Sequence, residues 1–264
     1  MKIAIYQMDI IPGNRQANWD KVEMWTKQVV SEHQPAILVL PEMWTTAYTL
    51  PTLATCADTE KGETIEFLKS LAQTHGVHII GGSIASMENG EIYNRAVVVN
   101  REGEVVYVYD KIHLVPMLNE HLYLSGGQSS GDVFELDGIK MGVIICYDLR
   151  FPELARYLAV EGAKLLFLVA EWPEARERHW SVLQQARAIE NQLYVISANR
   201  CGLYDDVEFC GRSQVITPWG EVVKEANPSK EETIVVEMDV SEVEKVRESV
   251  PIFSSRVPTL YKYK

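Results

Sequence analysis

The chain has few cysteines and none of the signatures of a stapled, metal-loaded or membrane-spanning protein. Its 264 residues contain four cysteines, Cys56, Cys146, Cys201 and Cys210, with no C-x-x-C pair among them. That spacing argues against a structural zinc site. A chain this long has no need of a disulfide staple, so reduced thiols in a cytoplasmic protein are expected. The six histidines never fall at H-x-x-x-H or H-E-x-x-H spacing, which leaves a catalytic metal without a cradle. G-x-G-x-x-G and G-x-x-x-x-G-K-[ST] are both missing, and with them the usual dinucleotide and triphosphate signatures. Apolar runs are strand-sized and flanked by charge, too short to cross a bilayer. The opening Met1-Lys2-Ile3-Ala4-Ile5-Tyr6-Gln7 alternates and meets Asp9, so it reads as a strand and not as a signal peptide. There is no excess of positive charge. The formal net charge is −12, which disfavours nucleic acid and anionic membranes as partners.

What is present suits one sizeable domain spanning residues 1–264, with 47% hydrophobic residues to build a core. Residues 3–8, 36–40 and 77–84 read as strands, separated by helices over 14–32 and 64–75. Hairpin signals follow over 92–109, around Asn100-Arg101-Glu102-Gly103, and over 133–146, around Asp137-Gly138. Helix and strand then alternate again, with helices over 152–161 and 179–191 and strands over 164–169 and 193–198. A hairpin about Pro218-Trp219-Gly220, a strand over 233–240 and a capped helix over 241–248 close the pattern. Helices with antiparallel hairpins between them predict a four-layer α-β-β-α sandwich of the α/β class. Residues 250–264, with Pro251, Phe253, Pro258, Tyr261 and Tyr263, read as an extended arm.

One motif is a decoy. Gly127-Gln128-Ser129-Ser130-Gly131 matches G-x-S-x-G, yet a nucleophile elbow needs a strand before it and a helix after it. This segment follows a loop and runs into a strand. A more informative corner is Gly142-Val143-Ile144-Ile145-Cys146, where an apolar strand stops at a thiol and Pro152 begins a helix soon after. Alone, Cys146 would read as a core thiol. Two further strand exits change that reading. Leu38-Val39-Leu40-Pro41-Glu42 leaves a carboxylate at a sheet rim, and Tyr109-Asp110-Lys111 leaves an ammonium at another. A base, a cation and a thiol are the minimum for acyl transfer by an activated thiol. The lysine can favour the thiolate and stabilise an oxyanion, while the glutamate carries the proton. A Cys–His arrangement using His113 or His179 is the rival on chemistry. A non-catalytic interaction protein on the same fold is the rival from another class.

These three segments, with Asp110-Lys111-Ile112-His113-Leu114 and Cys146-Tyr147-Asp148-Leu149-Arg150-Phe151-Pro152-Glu153 written in full, resemble the nitrilase (carbon–nitrogen hydrolase) superfamily over essentially the whole chain. The resemblance implies an α-β-β-α sandwich and a Glu42-Lys111-Cys146 triad that cleaves a non-peptide C–N bond through a thioester, without metal or organic cofactor. It nominates Glu120, in Glu120-His121-Leu122-Tyr123-Leu124-Ser125-Gly126-Gly127, to orient Lys111 and the attacking water. Lys111 and the backbone N–H of Tyr147 become the oxyanion donors. Within the superfamily, Gly81-Gly82-Ser83-Ile84, Tyr93-Asn94-Arg95-Ala96-Val97 and His179-Trp180 leading into Ala186-Arg187-Ala188-Ile189-Glu190-Asn191-Gln192 resemble the ω-amidase branch, and Glu171-Trp172-Pro173 resembles its bacterial methionine-salvage members. That branch implies a small-molecule substrate, the terminal amide of a short α-keto acid such as 2-oxoglutaramate or 2-oxo-4-methylthiobutyramide. N-carbamoyl amino acids and aliphatic nitriles are the alternatives within the superfamily. A distal substrate carboxylate would need a cation, for which Arg176 is the first candidate and Arg178 the second. Trp44, Tyr48 and Trp172 would supply an apolar wall. The aromatic arm, with family precedent for helices near the cysteine motif meeting across a two-fold axis, suggests a homodimer.

Overall fold

A computed structural model of the chain describes residues 1–59 and 61–262, so Tyr263 and Lys264 of the expected arm lie outside the described residues. In chain order the elements are β1 (Lys2–Gln7), α1 (Arg15–His33), β2 (Ile37–Val39), α2 (Leu53–Cys56), α3 (Glu63–His75), β3 (His78–Glu88), β4 (Glu91–Val99) and β5 (Val105–Asp110). There follow β6 (Phe134–Leu136), β7 (Ile139–Ile145), α4 (Pro152–Val160), β8 (Leu165–Ala170), α5 (Glu177–Asn191), β9 (Tyr194–Asn199), β10 (Leu203–Tyr204) and β11 (Val207–Glu208). The last are β12 (Gln214–Ile216), β13 (Val222–Glu225), β14 (Glu232–Glu237) and α6 (Glu242–Ser249).

Two six-stranded mixed sheets result, ordered β14-β1-β2-β3-β4-β5 and β13-β12-β9-β8-β7-β6. Each has a parallel centre, β1-β2-β3 in one and β7-β8-β9 in the other, with antiparallel strands at both flanks. The two-residue period of a strand sorts its side chains between two layers. Ile3, Ile5, Ile37, Val39, Ile80 and Val98 belong to one core with Val143, Ile145, Phe167, Val169 and Ile196 of the second sheet. Ala4, Tyr6, Leu38, Ile79 and Val97 turn the other way, onto Val22, Trp25 and Val29 of α1 and Leu68, Leu71 and Ala72 of α3. Leu154, Ala155 and Leu158 of α4 and Trp180 and Ala188 of α5 complete the core of the second sheet. The layers are therefore α-β-β-α, as the pattern predicts. No helix among the described residues is long and apolar enough to cross a membrane.

The structure differs from the sequence reading at some corners. The first turn of α6 is organised by Asp239 and not by Ser241. Asp239 Oδ1 accepts both the N–H (3.0 Å) and the hydroxyl (2.6 Å) of Ser241, and the Ser241 side chain caps nothing. Two single-turn 3₁₀ helices, Pro116–Leu118 and Glu120–Leu122, occupy a stretch with no periodic signal. Cys146 opens a further 3₁₀ turn, Cys146–Arg150, that intervenes before α4.

Candidate active site

The chemical residues stand just past strand ends. Glu42 comes shortly after β2, Lys111 directly after β5 and Cys146 directly after β7. Because β2 is parallel to β3, and β3-β4 and β4-β5 are antiparallel, β2 and β5 point the same way, so Glu42 and Lys111 emerge at one rim. Carboxyl ends of strands are where open α/β sheets gather their sites.

A glycine sets the position of Glu42. β3 carries an irregularity between Ile80 and Ser83, and Gly82 within it has φ +61°. A Cβ on Gly82 would lie 1.9 Å from the Pro41 carbonyl oxygen, so only glycine permits this approach. The contact is then fixed by hydrogen bonds. The Ser83 N–H donates to the Pro41 carbonyl (3.1 Å), and the Ser83 hydroxyl accepts the Met43 N–H (3.0 Å).

Glu42, Lys111 and Glu120 are completely buried together. Glu42 Oε1 accepts from the Tyr48 hydroxyl (2.6 Å), Asn94 Nδ2 (2.8 Å) and Lys111 Nζ (3.1 Å), whereas Oε2 accepts only the Glu171 backbone N–H (2.7 Å). Oε1 is thus crowded, and Oε2 keeps an open direction in which to take a proton. Lys111 Nζ also donates to the Tyr48 hydroxyl (2.7 Å) and to Glu120 (3.1 Å), which occupies the three protons of an ammonium. Glu120 Oε2 accepts the Val115 N–H at 2.8 Å, anchoring the 3₁₀ segment beneath it. Burial alone would lower the pKa of Lys111, but Glu42 and Glu120 outweigh it and hold the ammonium above the usual lysine range.

Cys146 sits in a strained corner with φ +44°, a backbone region that side-chain-bearing residues rarely adopt. Asp148 braces it. Asp148 Oδ2 accepts the Ile145 N–H (3.0 Å) and the Tyr109 hydroxyl (2.8 Å), and Oδ1 pairs with His113 Nδ1 (2.8 Å). His113 stacks on Phe151 with ring centroids 3.5 Å apart, tying the lysine loop to the cysteine corner. The decoy segment 127–131 makes no such corner, because it lies in a loop ahead of β6. Burial pushes the Cys146 thiol well above its ordinary value, Glu42 adds to that, and Lys111 only partly opposes it. Two carboxylates face one ammonium here. Lys111 favours the thiolate, as expected from sequence, but burial and Glu42 outweigh it.

A cavity of about 210 Å³ opens on Cys146 and is lined also by Tyr48, Glu120, Tyr147, Arg150, Glu171, Trp172 and Arg176. Tyr147 is the second residue of the 3₁₀ turn, and early N–H groups of a helical turn have no partner within it. Trp172 lines the wall. Tyr48 does too, but as a hydroxyl shared by Glu42 and Lys111 and not as an apolar surface. Trp44 is a correction: it is fully buried beneath the sheet, donates its indole N–H to the Gly81 carbonyl (2.8 Å) and packs near Phe67, away from the cavity. Arg176 lines the mouth while its carbonyl accepts the Trp172 indole N–H (2.9 Å); Arg178 does not line the cavity. His113 and His179 are not on the wall, and His179 Nδ1 instead meets Arg150 at 3.2 Å. Neither histidine of the Cys–His alternative lines the cavity that opens on Cys146.

Four residues escaped the sequence reading. Asn94 and Asp148 are buried polar groups that brace Glu42 and Cys146. Arg150 lies 4.7 Å over the Trp172 ring and reaches the cavity from within the cysteine motif itself. Glu171 supplies the backbone donor to Glu42. All four stand in segments quoted for the family resemblance, but only Asp148 and Arg150 adjoin Cys146 in sequence.

The fold and this buried cluster describe a hydrolase of carbon–nitrogen bonds. The chain belongs to the carbon–nitrogen hydrolase family, whose sequence pattern matches residues 2–248. It is 44% identical over 260 residues to a 2-oxoglutaramate amidase of Bacillus subtilis (strain 168), covering 98% of each chain. It is 35% identical over 235 residues to the omega-amidase NIT2 of Xenopus tropicalis, covering 85% of this chain and 84% of that one. Among solved structures, a carbon–nitrogen hydrolase from Helicobacter pylori G27 superposes with a TM-score of 0.92 at 25% identity, over 99% of this chain and 96% of the other.

Proposed function

We propose that the chain is an ω-amidase that hydrolyses the terminal amide of a short α-keto acid to the acid and ammonia. The carrying observation is the buried Glu42–Lys111–Glu120 cluster adjoining the strained Cys146 on the wall of a cavity too small for a drug-sized ligand. The relatives named above support the amide reading, and the two arginines on the wall suit an anionic head.

In this scheme the Cys146 sulfur attacks the amide carbon as its proton passes to Glu42 Oε2, the oxygen with an open acceptor direction. The oxyanion takes the Tyr147 N–H and a Lys111 proton redirected from Tyr48. Glu42 then protonates the amide nitrogen, the C–N bond breaks and ammonia leaves a thioester on Cys146. Glu42, with Glu120 orienting, takes a proton from water as it attacks the thioester. The acid departs and the thiol is restored. Separating the proton from a high-pKa thiol only during attack suits a general base better than a standing thiolate.

The test is ammonia release from 2-oxoglutaramate, propionamide, an aliphatic nitrile and an N-carbamoyl amino acid. The keto-acid amide should be cleaved fastest. Preference for the N-carbamoyl compound would move the chain to another branch. Cys146→Ala should fold and lose at least about a thousandfold in kcat, and mass spectrometry of denaturant-quenched enzyme should find the acyl adduct on Cys146. A cytoplasmic homodimer belongs to the same reading. Cys56, Cys146, Cys201 and Cys210 are all free, and apolar residues stand exposed on α4 and α5.

A further inference from the structure

Glu171 enters the scheme above only through its backbone, yet its side chain is an unusual part of the cavity wall. It directly follows β8 and is completely buried. Arg200, directly after β9, donates to Glu171 Oε2 at 2.9 Å. Arg200 is itself held by the carbonyls of Ile10 and Cys201 (3.2 Å each), lies 4.2 Å over the Phe209 ring and is 3.7 Å from Asp9. These supports hold its guanidinium on the Oε2 side of Glu171. The other oxygen, Oε1, is buried and has no hydrogen-bond partner. Glu171 also lines both the Cys146 cavity and the neighbouring hollow toward Tyr204 and Phe209. A buried carboxyl oxygen with no partner is costly to the fold.

We propose that Glu171 reads the oxygen-rich head of the substrate, carrying a proton on its free oxygen and donating it to a keto or carboxylate oxygen while Arg200 pins the other oxygen. The proposal rests on the keto-acid amide reading. The surrounding charges agree with a protonated group. Burial raises the carboxyl, Arg200 and Lys111 oppose that, Glu42 adds to it, and the outcome is about 8. Arg150, Arg176, Glu120 and Cys146 share its cavity, Tyr204 lies in the adjoining one and Asp9 stands behind Arg200. An ionised Glu171 would repel an anionic head. A neutral one offers a donor and leaves Arg150 and Arg176 free to meet a carboxylate.

The experiment is KM against pH, from 6.5 to 9.5, for a short α-keto acid amide and for propionamide. In the wild type the keto-acid KM should climb up to about tenfold per pH unit above about 8, while the propionamide KM should not follow it. Glu171→Leu should raise the keto-acid KM at pH 7 by at least about tenfold. Glu171→Gln, which keeps a donor and cannot ionise, should rescue that loss and flatten the alkaline rise. Thermal melting of both variants controls for folding. The same alkaline rise in Glu171→Gln, a flat wild-type profile, or equal KM losses for both substrates in Glu171→Leu would each overturn the assignment. A wild type that turns over propionamide and no keto-acid amide at any pH overturns the substrate reading and this inference with it, a result distinct from the other three.

Discussion

At the scale of single residues, the site turns on where protons rest. A carboxylate and an ammonium buried together are stable only when every lone pair and N–H finds a partner. Lys111 and Glu42 Oε1 meet that condition through Tyr48, Asn94 and Glu120, while Glu42 Oε2, held by the Glu171 N–H, keeps room for a proton. Burial and Glu42 raise the pKa of the thiol beside them. Below its raised pKa the thiolate is scarce and grows with pH. Iodoacetamide labelling of Cys146, followed by mass spectrometry, should therefore keep accelerating as pH is raised from 7 to 9.5. A rate already level at pH 6 would mean a standing thiolate and would contradict the general-base scheme. Asn94 offers a second test. Its amide donates to Glu42 Oε1 and to the Tyr48 hydroxyl, at 2.8 and 3.1 Å. Removing a hydrogen bond to a charged group costs about 1.5–3 kcal/mol, so Asn94→Ala should lower kcat by about ten- to a hundredfold. An unchanged kcat in steady-state assays would show that Tyr48 and Lys111 hold Glu42 unaided.

At the scale of elements, strand ends and glycines aim these side chains. Gly82 is the clearest case, since a methyl group there would collide with the Pro41 carbonyl. Gly82→Ala should displace the Glu42 loop, lower stability by about 1–3 kcal/mol and reduce kcat more than KM. Urea unfolding and kinetics together test this, and wild-type values in both would show that the loop yields freely. The contrast with Gly76 is instructive, for a Cβ there meets nothing within 4 Å. Most strands and helices were legible because alternation and helical spacing are local, and the three catalytic candidates were legible because each ends a strand. The left-handed turn at Cys146, the 3₁₀ segments over 116–122 and the role of Asn94 were not. Short turns carry no period, and Asn94 meets Glu42 across 52 positions of sequence. Trp44 misled for a related reason. Its neighbour Glu42 enters the site, but the turn through Met43, at φ +46°, sends the indole into the core.

At the scale of the whole molecule, the remaining anomaly is apolar surface on the helical side of the second sheet. Tyr157 and Val160 of α4, Val182 and Ile189 of α5, and Trp219 beside them are all exposed, Ile189 by 54% and Val182 by 52%. Near them a groove is lined by Ile189, Trp219, Val250, Ile252 and Tyr261, so the arm borders the same region. Exposed apolar residues gathered on one side of a fold commonly mark an interaction surface. A second copy is the economical cover, because a two-fold contact lets one patch bury its own equivalent. None of these exposed residues lines the Cys146 cavity, and the lining residue Arg150 lies just ahead of α4 in sequence. Dimerisation should then support the cysteine corner from behind without supplying a substrate contact. Light scattering at micromolar concentration should give twice the 29.9 kDa chain mass. Val182→Glu combined with Ile189→Glu should shift the particle toward one chain and lower the melting temperature. Activity per chain should fall along with melting temperature, and KM should stay near the wild-type value. A wild type that scatters as a single chain would leave this face for another partner, and a dimeric double variant would put the interface elsewhere.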